Sequence, residues 1–162
     1  MARALLDTDI FSEILKGRNQ NVVAKATQYR SAYGYYTISV ITVLEIVKGF
    51  HKLQREDRVQ QFLDGLPSVE LLTLDQRSAA LAGRMYADLE RVGQPIGRAD
   101  PMIAAIALGH GLTLVTGKPI SLPADPSPGL RYQSGQLARV ASLGPSRPRF
   151  ADRSKPARSS HS

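Results

Sequence analysis

The chain has 162 residues, 43% of them hydrophobic and 22% charged, a composition typical of one globular domain with one core. It has no cysteine, which excludes disulfides and thiolate metal sites, and no apolar run approaches the roughly 20 residues of a membrane helix. The net charge is +7, but eight basic and two acidic residues give 118–162 a net of +6. The charge therefore does not by itself indicate nucleic-acid binding. The opening residues do not resemble a secretory signal, so we expect a cytoplasmic protein.

Apolar periodicity and capping residues predict a strand and two helices at the start of the chain. The apolar run 4–6 is a short strand that ends at Asp7, whose side chain can cap a helix that Gly17 stops. Either Asn19 or Asn21 then caps a second helix, which we expect to end near residue 29.

The middle of the chain predicts a second strand and two more helices. The run 36–40 is β-branched and aromatic, which is typical of a strand. Residues 41–48 have the apolar spacing of a helix, and we interpret Gly49 as a local break rather than its end. Another helix is expected at 57–66.

The sequence from residue 69 to Gly117 predicts two strands and two helices. Strands are expected at 69–72 and 112–115, and Asp75 can cap a long helix at 76–91. A further helix begins at Asp100, with Pro101 in the first helical position, where proline is tolerated. The long helix should turn these residues inward: Ala79, Ala80, Ala82, Met85, Tyr86 and Leu89.

Strands that alternate with helices indicate a mostly parallel sheet covered by helices on both faces. In such sheets ligands bind beyond the carboxyl ends of the strands. Asp7 follows the first strand and Thr116 closes the fourth, so we expect both at this edge of the sheet.

Three acids that are distant in sequence, Asp7, Glu45 and Asp100, each adjoin apolar structure. Hydrolysis of a phosphodiester needs a divalent cation, and Mg²⁺ is held by a few carboxylates together with waters and substrate oxygens. These acids are therefore candidate metal ligands.

Each acid also has a purely structural interpretation. In this interpretation Asp7 and Asp100 cap helices and have no further role. Glu45 is then a solvent-facing partner of Lys48 or Lys52. Asp9 can support the metal site or simply favour the start of its helix through the helix dipole.

The combination resembles the PIN domain, and within it the VapC-type toxins of bacterial toxin–antitoxin pairs. The segments that carry the resemblance lie in order at 5–9 (LLDTD), 39–45 (SVITVLE), 95–100 and 102–105 (PIGRAD and MIAA) and 114–117 (LVTG). The resemblance implies a three-layer α/β/α fold, Mg²⁺ or Mn²⁺, RNA cleavage, a homodimer and a small antitoxin that occludes the site. It also implies that Asp7, Glu45 and Asp100 hold the metal and that Thr116 is a polar helper.

The pattern changes after Gly117, where seven of the ten prolines and nine serines lie. We expect a nuclease domain at 1–117 and a disordered basic tail at 118–162, with four strands and the family's usual fifth edge strand missing. Lys118 stands where the family has a polar or acidic residue. Codons can be chosen for 117–140 such that deleting one base restores a family-like ending, so we interpret the tail as the product of a reading-frame shift.

Two other functions remain open at this stage. One is a degenerate toxin that has lost cleavage but still binds its antitoxin, which would agree with the altered C-terminal sequence. The other, which we rank last, is a nucleic-acid-binding module that depends on the basic tail and is therefore sensitive to salt.

Overall fold

The computed structural model describes residues 2–93 and 99–117, together with the backbone of 141–142. The strands are β1 (Ala4–Leu6), β2 (Thr37–Ser39), β3 (Glu70–Leu72), β4 (Thr113–Thr116) and β5 (Ala141–Ser142). The helices are α1 (Thr8–Lys16), α2 (Gln20–Tyr33), α3 (Val40–Lys52), α4 (Glu56–Gly65), α5 (Gln76–Arg91) and α6 (Asp100–Gly109), with a 3-10 turn at Leu66–Ser68. The predicted alternation of strands and helices is confirmed.

Every strand pairing in the described residues is parallel. β4 lies between β1 and β5 in one ladder, and β2 pairs with β3 in another. β1 packs beside β2, which brings the two ladders together. The carboxyl ends of β1 and β4 therefore meet at the same edge, because Leu6 is in register with Val115.

Helices cover both faces of the strands, as the three-layer prediction requires. Successive residues of β1 point to opposite faces, so Leu5 packs with α5 and α6 while Leu6 packs with α1, α2 and α4. α3 contributes to both cores, through Ile41 on one side and Ile46 on the other. β1 and β4 are short and largely buried on both faces, which is why their sequences are mostly apolar without alternation.

The predicted helix caps are confirmed in α1, α2 and α5. The side chain of Asn19, not Asn21, accepts hydrogen bonds from two backbone N–H groups at the start of α2. Asp75 accepts one from Ser78 in the same way. These caps satisfy donors that helix geometry leaves without a partner inside the helix.

Several boundaries differ from the prediction. α2 and α3 run one turn longer than predicted, to Tyr33 and Lys52, because apolar residues in their last turns pack against the core. α3 continues through Gly49 without ending there. α6 begins at Asp100 itself, so Pro101 takes the second position. On α5, Ala79 and Ala80 are exposed and do not face inward as predicted. The buried face of this helix consists of Ser78, Ala82, Met85, Asp88 and Leu89. No helix among the described ranges is long and apolar enough to cross a membrane.

The prediction that a fifth strand is missing is wrong in the described structure. Ala141 and Ser142 pair in parallel with Val115 and Thr116, on the free edge of β4. An open strand edge offers unpaired backbone groups, and a two-residue strand can occupy it without any side-chain pattern that a sequence would reveal. The rest of the predicted tail, with Lys118, lies outside the described residues, as do 95–98 of the third motif.

At the amino ends of β1, β2 and β3, Glu70 of β3 connects the neighbouring segments. Its carboxylate accepts a hydrogen bond from Thr37 on β2 (2.6 Å) and pairs with Arg3, which precedes β1. Partial burial raises the pKa of Glu70, but the Thr37 and Arg3 hydrogen bonds and the Arg3 charge outweigh burial and leave the pKa below its ordinary value of 4.5.

We expect this cluster to make stability sensitive to acid. A carboxyl whose pKa is lower in the folded state stabilises the fold above its unfolded pKa and loses that contribution as the pH falls through the folded pKa. Melting temperature measured between about pH 6 and pH 3 should therefore fall less steeply in Glu70→Gln than in the wild type. Equal slopes in the two proteins would contradict the assignment, and Glu13→Gln, in an exposed pair with Lys16, is the control.

Candidate functional site

Asp7 lies where β1 passes into α1, and its side chain is 3% exposed. Its Oδ1 accepts a hydrogen bond from the backbone N–H of Thr8 (2.7 Å), and its Oδ2 accepts one from the Thr116 hydroxyl (2.8 Å). The first contact caps the helix, as predicted. The second joins the ends of β1 and β4, so capping is only part of what this carboxylate does.

Glu45 is half-buried on α3 and turns toward α1. Its Oε1 accepts a hydrogen bond from the Thr8 hydroxyl (2.7 Å), which itself lies 3.2 Å from the hydroxyl of Thr42. Thr42 is in turn 3.4 Å from the hydroxyl of Ser39, and both are fully buried. The structure thus gives Glu45 a partner on another helix instead of the surface lysines.

Asp100 is the first residue of α6, which packs on both α3 and α5. The charge of Asp100 acts on Tyr86 of α5. The pKa of the Tyr86 phenol is raised above its ordinary value, first by burial and then by the charges of Asp100 and Glu45. A carboxylate shifts a neighbouring pKa in this way only at short range. The charges of Asp100 and Glu45 therefore both act on the Tyr86 side chain.

Two links run between the predicted acids. Thr8 connects Asp7 with Glu45 through hydrogen bonds, and the charges of Glu45 and Asp100 both act on Tyr86. Across 2–93 and 99–117, however, no three acidic or histidine side chains are grouped closely enough to hold a metal ion as they stand. Coordination of one ion by all three acids stays a prediction.

The two supporting residues of the prediction lie in different surroundings. Thr116 is fully buried and donates to Asp7. Asp9 is exposed in the first turn of α1, where an acid favours the helix dipole. The position of Asp9 supports the structural interpretation of that residue.

Sequence reasoning missed the hydroxyl groups that join these acids. Thr8 lies inside the first motif, and Ser39 and Thr42 lie inside the second, but apart from Thr116 only acids are assigned a functional role from the sequence. Tyr86 was assigned to the core for its place in the apolar pattern. The available signal was the run of small hydroxyl residues in otherwise apolar segments, where a buried hydroxyl needs a hydrogen-bond partner.

A cleft of about 900 Å³ begins at Thr8 and Glu45 and extends between α1, α3 and α4. Its surface is largely apolar, and basic side chains stand along it. The apolar lining includes Phe11, Ile14, Ile46, Phe50, Leu53 and Phe62, and the basic residues are Lys16, Arg18, Arg30, Arg55 and Arg58. Such a surface suits an amphipathic partner that carries acidic groups.

A model of the PIN domain matches residues 4–117 of the chain. This chain belongs to the PIN-domain family. The match spans the first predicted motif through the fourth and includes every element from β1 to β4. It ends at Gly117, the residue after which prolines and serines accumulate.

Most of the relatives that this PIN domain matches are VapC proteins. The tRNA(fMet)-specific endonuclease VapC of Shigella flexneri is 32% identical over 117 residues, which is 72% of this chain and 86% of the relative. Among solved structures, the DNA-bound VapBC of Salmonella typhimurium matches with a TM-score of 0.60 at 30% identity, over 72% of this chain and 87% of that one. FitAcB of Neisseria gonorrhoeae matches with a TM-score of 0.57, also at 30% identity, over 71% of this chain and 87% of that one.

The Thr116 hydroxyl should stabilise the buried carboxylate of this PIN domain. Thr116→Val keeps the shape of the side chain but removes a donor to Asp7, and such a loss costs about 1–3 kcal/mol. The free energy of unfolding in urea measures the change, with Thr113→Val, half-buried on the same strand, as the control. The cost should shrink when Asp7 is also changed to Asn. A Thr116→Val protein as stable as the wild type would contradict this account.

Proposed function

We propose that the protein is a metal-dependent endoribonuclease toxin that hydrolyses RNA phosphodiester bonds, with Asp7, Glu45 and Asp100 as its catalytic acids. The observation that carries the proposal is the connection of Asp7 and Glu45, on separate elements, by the single residue Thr8 at the carboxyl edge of the strands. Its relatives support the same activity, since they are named VapC endonucleases and ribonucleases.

The donor set fits Mg²⁺ or Mn²⁺. All three acids offer hard oxygen ligands, and Mg²⁺ is commonly bound by one or two carboxylates while waters complete its shell. A ready-made cluster of three protein ligands is therefore not required. When bound, the cation would stabilise the charge on the phosphoryl group and lower the pKa of a bound water.

The chain's own residues hold the carboxylates ready for this task. Thr8 and Thr116 keep Asp7 in place while it is buried, and Glu45 faces the cleft with Oε1 already fixed by Thr8. Asp100 adds a second negative charge near Glu45. Carboxylates that approach one another repel, and a divalent cation bound between them would relieve the repulsion.

RNA is the proposed substrate and a VapB-type antitoxin the proposed partner. The name of the Shigella relative makes initiator tRNA the first substrate to test, and the VapBC structures support the partner. The cleft offers that antitoxin an apolar floor that reaches Glu45, so a segment bound there would cover the acidic site. A homodimer and a cytoplasmic location, which were predicted from the sequence, complete the proposal.

The second candidate is a degenerate toxin that still binds its antitoxin but cleaves RNA weakly or not at all. The end of the family match at Gly117 favours it, because the proline- and serine-rich sequence after Gly117 lies outside that match. The reading-frame hypothesis stays a prediction, and the codons of 117–140 decide it.

Cleavage should depend on both metal and Asp7. We expect Mg²⁺- or Mn²⁺-dependent cleavage of initiator tRNA or another RNA, loss of cleavage in EDTA, and recovery on adding Mn²⁺. Asp7→Asn should lower the rate by more than about 100-fold, since even outer-shell partners of a metal typically contribute about 10- to 100-fold.

Asp64→Asn, an exposed acid on α4, is the matched control and should leave the rate unchanged. If Asp7→Asn cleaves RNA as fast as the wild type, the site is wrongly assigned. If the wild type cleaves no RNA but binds the antitoxin, the degenerate toxin is the correct interpretation.

Antitoxin binding should depend on the cleft. Leu53 is 70% exposed on the cleft, so Leu53→Ser removes apolar contact area with little effect on the fold. Burying a leucine side chain contributes about 1.5–3 kcal/mol, so we expect roughly tenfold weaker binding of a purified VapB-type antitoxin by calorimetry. Val92→Ser, which is 65% exposed and away from the cleft, is the control. Unchanged binding by Leu53→Ser would place the antitoxin elsewhere.

A further inference from the structure

Thr8 contacts two of the three proposed metal-binding acids at once. Its backbone N–H donates to Oδ1 of Asp7 and its hydroxyl donates to Oε1 of Glu45, each at 2.7 Å. The two acids belong to different elements, since Asp7 ends β1 and Glu45 lies within α3. Thr8 is therefore the residue through which the position of one carboxylate is tied to the position of the other.

The Thr8 hydroxyl has a second neighbour besides Glu45, and its contact with Glu45 is the shorter of the two. Thr8 is half-buried, and its oxygen also lies 3.2 Å from the fully buried Thr42 hydroxyl. Thr42 is held in place by Ser39, whose hydroxyl accepts from the Thr42 backbone N–H. A chain of small hydroxyl groups thus anchors Thr8 to the start of α3, the helix that carries Glu45.

The contact leaves Glu45 able to bind a further group. A carboxylate has two oxygens and can accept several hydrogen bonds or metal contacts, and Thr8 engages Oε1. Both Thr8 and Glu45 line the cleft, so the glutamate is accessible from it. Outer-shell hydrogen bonds of this kind orient metal-binding carboxylates and raise metal affinity.

We propose that Thr8 is a positioning residue that fixes Glu45 relative to Asp7 and so sets the geometry in which the two carboxylates receive a divalent cation. The proposal rests on the proposed function, which supplies the metal. It adds that a neutral hydroxyl, with no charge of its own, determines the spacing of the charged groups.

Two substitutions of Thr8 distinguish the effect of its hydroxyl from the effect of its side-chain shape. Thr8→Val keeps the branched side chain and the backbone N–H but removes the hydroxyl, whereas Thr8→Ser keeps the hydroxyl. We expect Thr8→Val to bind Mn²⁺ about 10- to 100-fold more weakly, and to lower kcat more than it raises KM, because the substrate contacts remain. Thr8→Ser should retain near wild-type affinity.

A matched control is available on the next helix. The Thr27 hydroxyl of α2 is exposed and donates to the backbone oxygen of Val23, so Thr27→Val makes the same chemical change outside the site. Mn²⁺ affinity is measured by calorimetry or electron paramagnetic resonance on the full chain, and melting temperature without metal is measured on each variant. Should Thr8→Val unfold, Thr8→Ala is compared with Thr8→Ser instead.

The possible outcomes separate this proposal from the proposed function. Wild-type affinity for Mn²⁺ in Thr8→Val, or equal losses in Thr8→Val and Thr8→Ser, would overturn the role of the hydroxyl while leaving the nuclease intact. A wild-type protein that binds Mn²⁺ without cleaving RNA would remove the nuclease proposal, and the affinities of the Thr8 variants would still decide the role of Thr8. A wild-type protein that does not bind Mn²⁺ would overturn both.

Discussion

The Asp7 carboxylate is almost completely removed from water at the point where β1 meets α1. An ionised carboxylate in such a place is costly unless donors or a cation compensate its charge, and here two neutral donors do so. Those donors, the Thr8 N–H and the Thr116 hydroxyl, belong to α1 and β4. Compensation of this one charge therefore requires the strand edge and the first helix to be in their native positions together.

The remainder of the candidate site continues from that point through uncharged groups. Thr8 extends the network to Glu45, and Thr42 and Ser39 support it from the start of α3. Hydroxyl groups suit this task because each can donate and accept within a small volume, and none adds a charge that would compete with a metal. On the α5 side, the charges of Glu45 and Asp100 both raise the pKa of the Tyr86 phenol, after burial, which is the larger cause.

The location of the cleft connects the proposed activity with its proposed control. The cleft begins at Thr8 and Glu45 and continues over an apolar surface with basic residues along it. A partner that buries apolar side chains there would exclude RNA from the acids by occupying the same space. Inhibition would then need no conformational change in the enzyme, since the surface and the acids are adjacent in the structure.

Sequence alone determined the features that depend on neighbours within a turn or a strand. Asp7, Asn19 and Asp75 cap helices because a short polar side chain reaches the first backbone N–H groups of its own helix. The alternating faces of β1 follow from strand geometry, and the α/β/α layers follow from the alternation of strand-like and helix-like segments along the chain. The three acids stood out for a similar reason, since each adjoins an apolar segment.

Only the tertiary structure decided which groups these acids meet. The Thr116 hydroxyl reaches Asp7 across 109 residues of sequence, and the Thr8 hydroxyl reaches Glu45 across 37. Such contacts depend on strand register and on the rotation of α3 against α1, and local periodicity fixes neither. The pairing of Ala141–Ser142 with β4 was hidden for a related reason, since backbone hydrogen bonds hold an edge strand without any side-chain pattern.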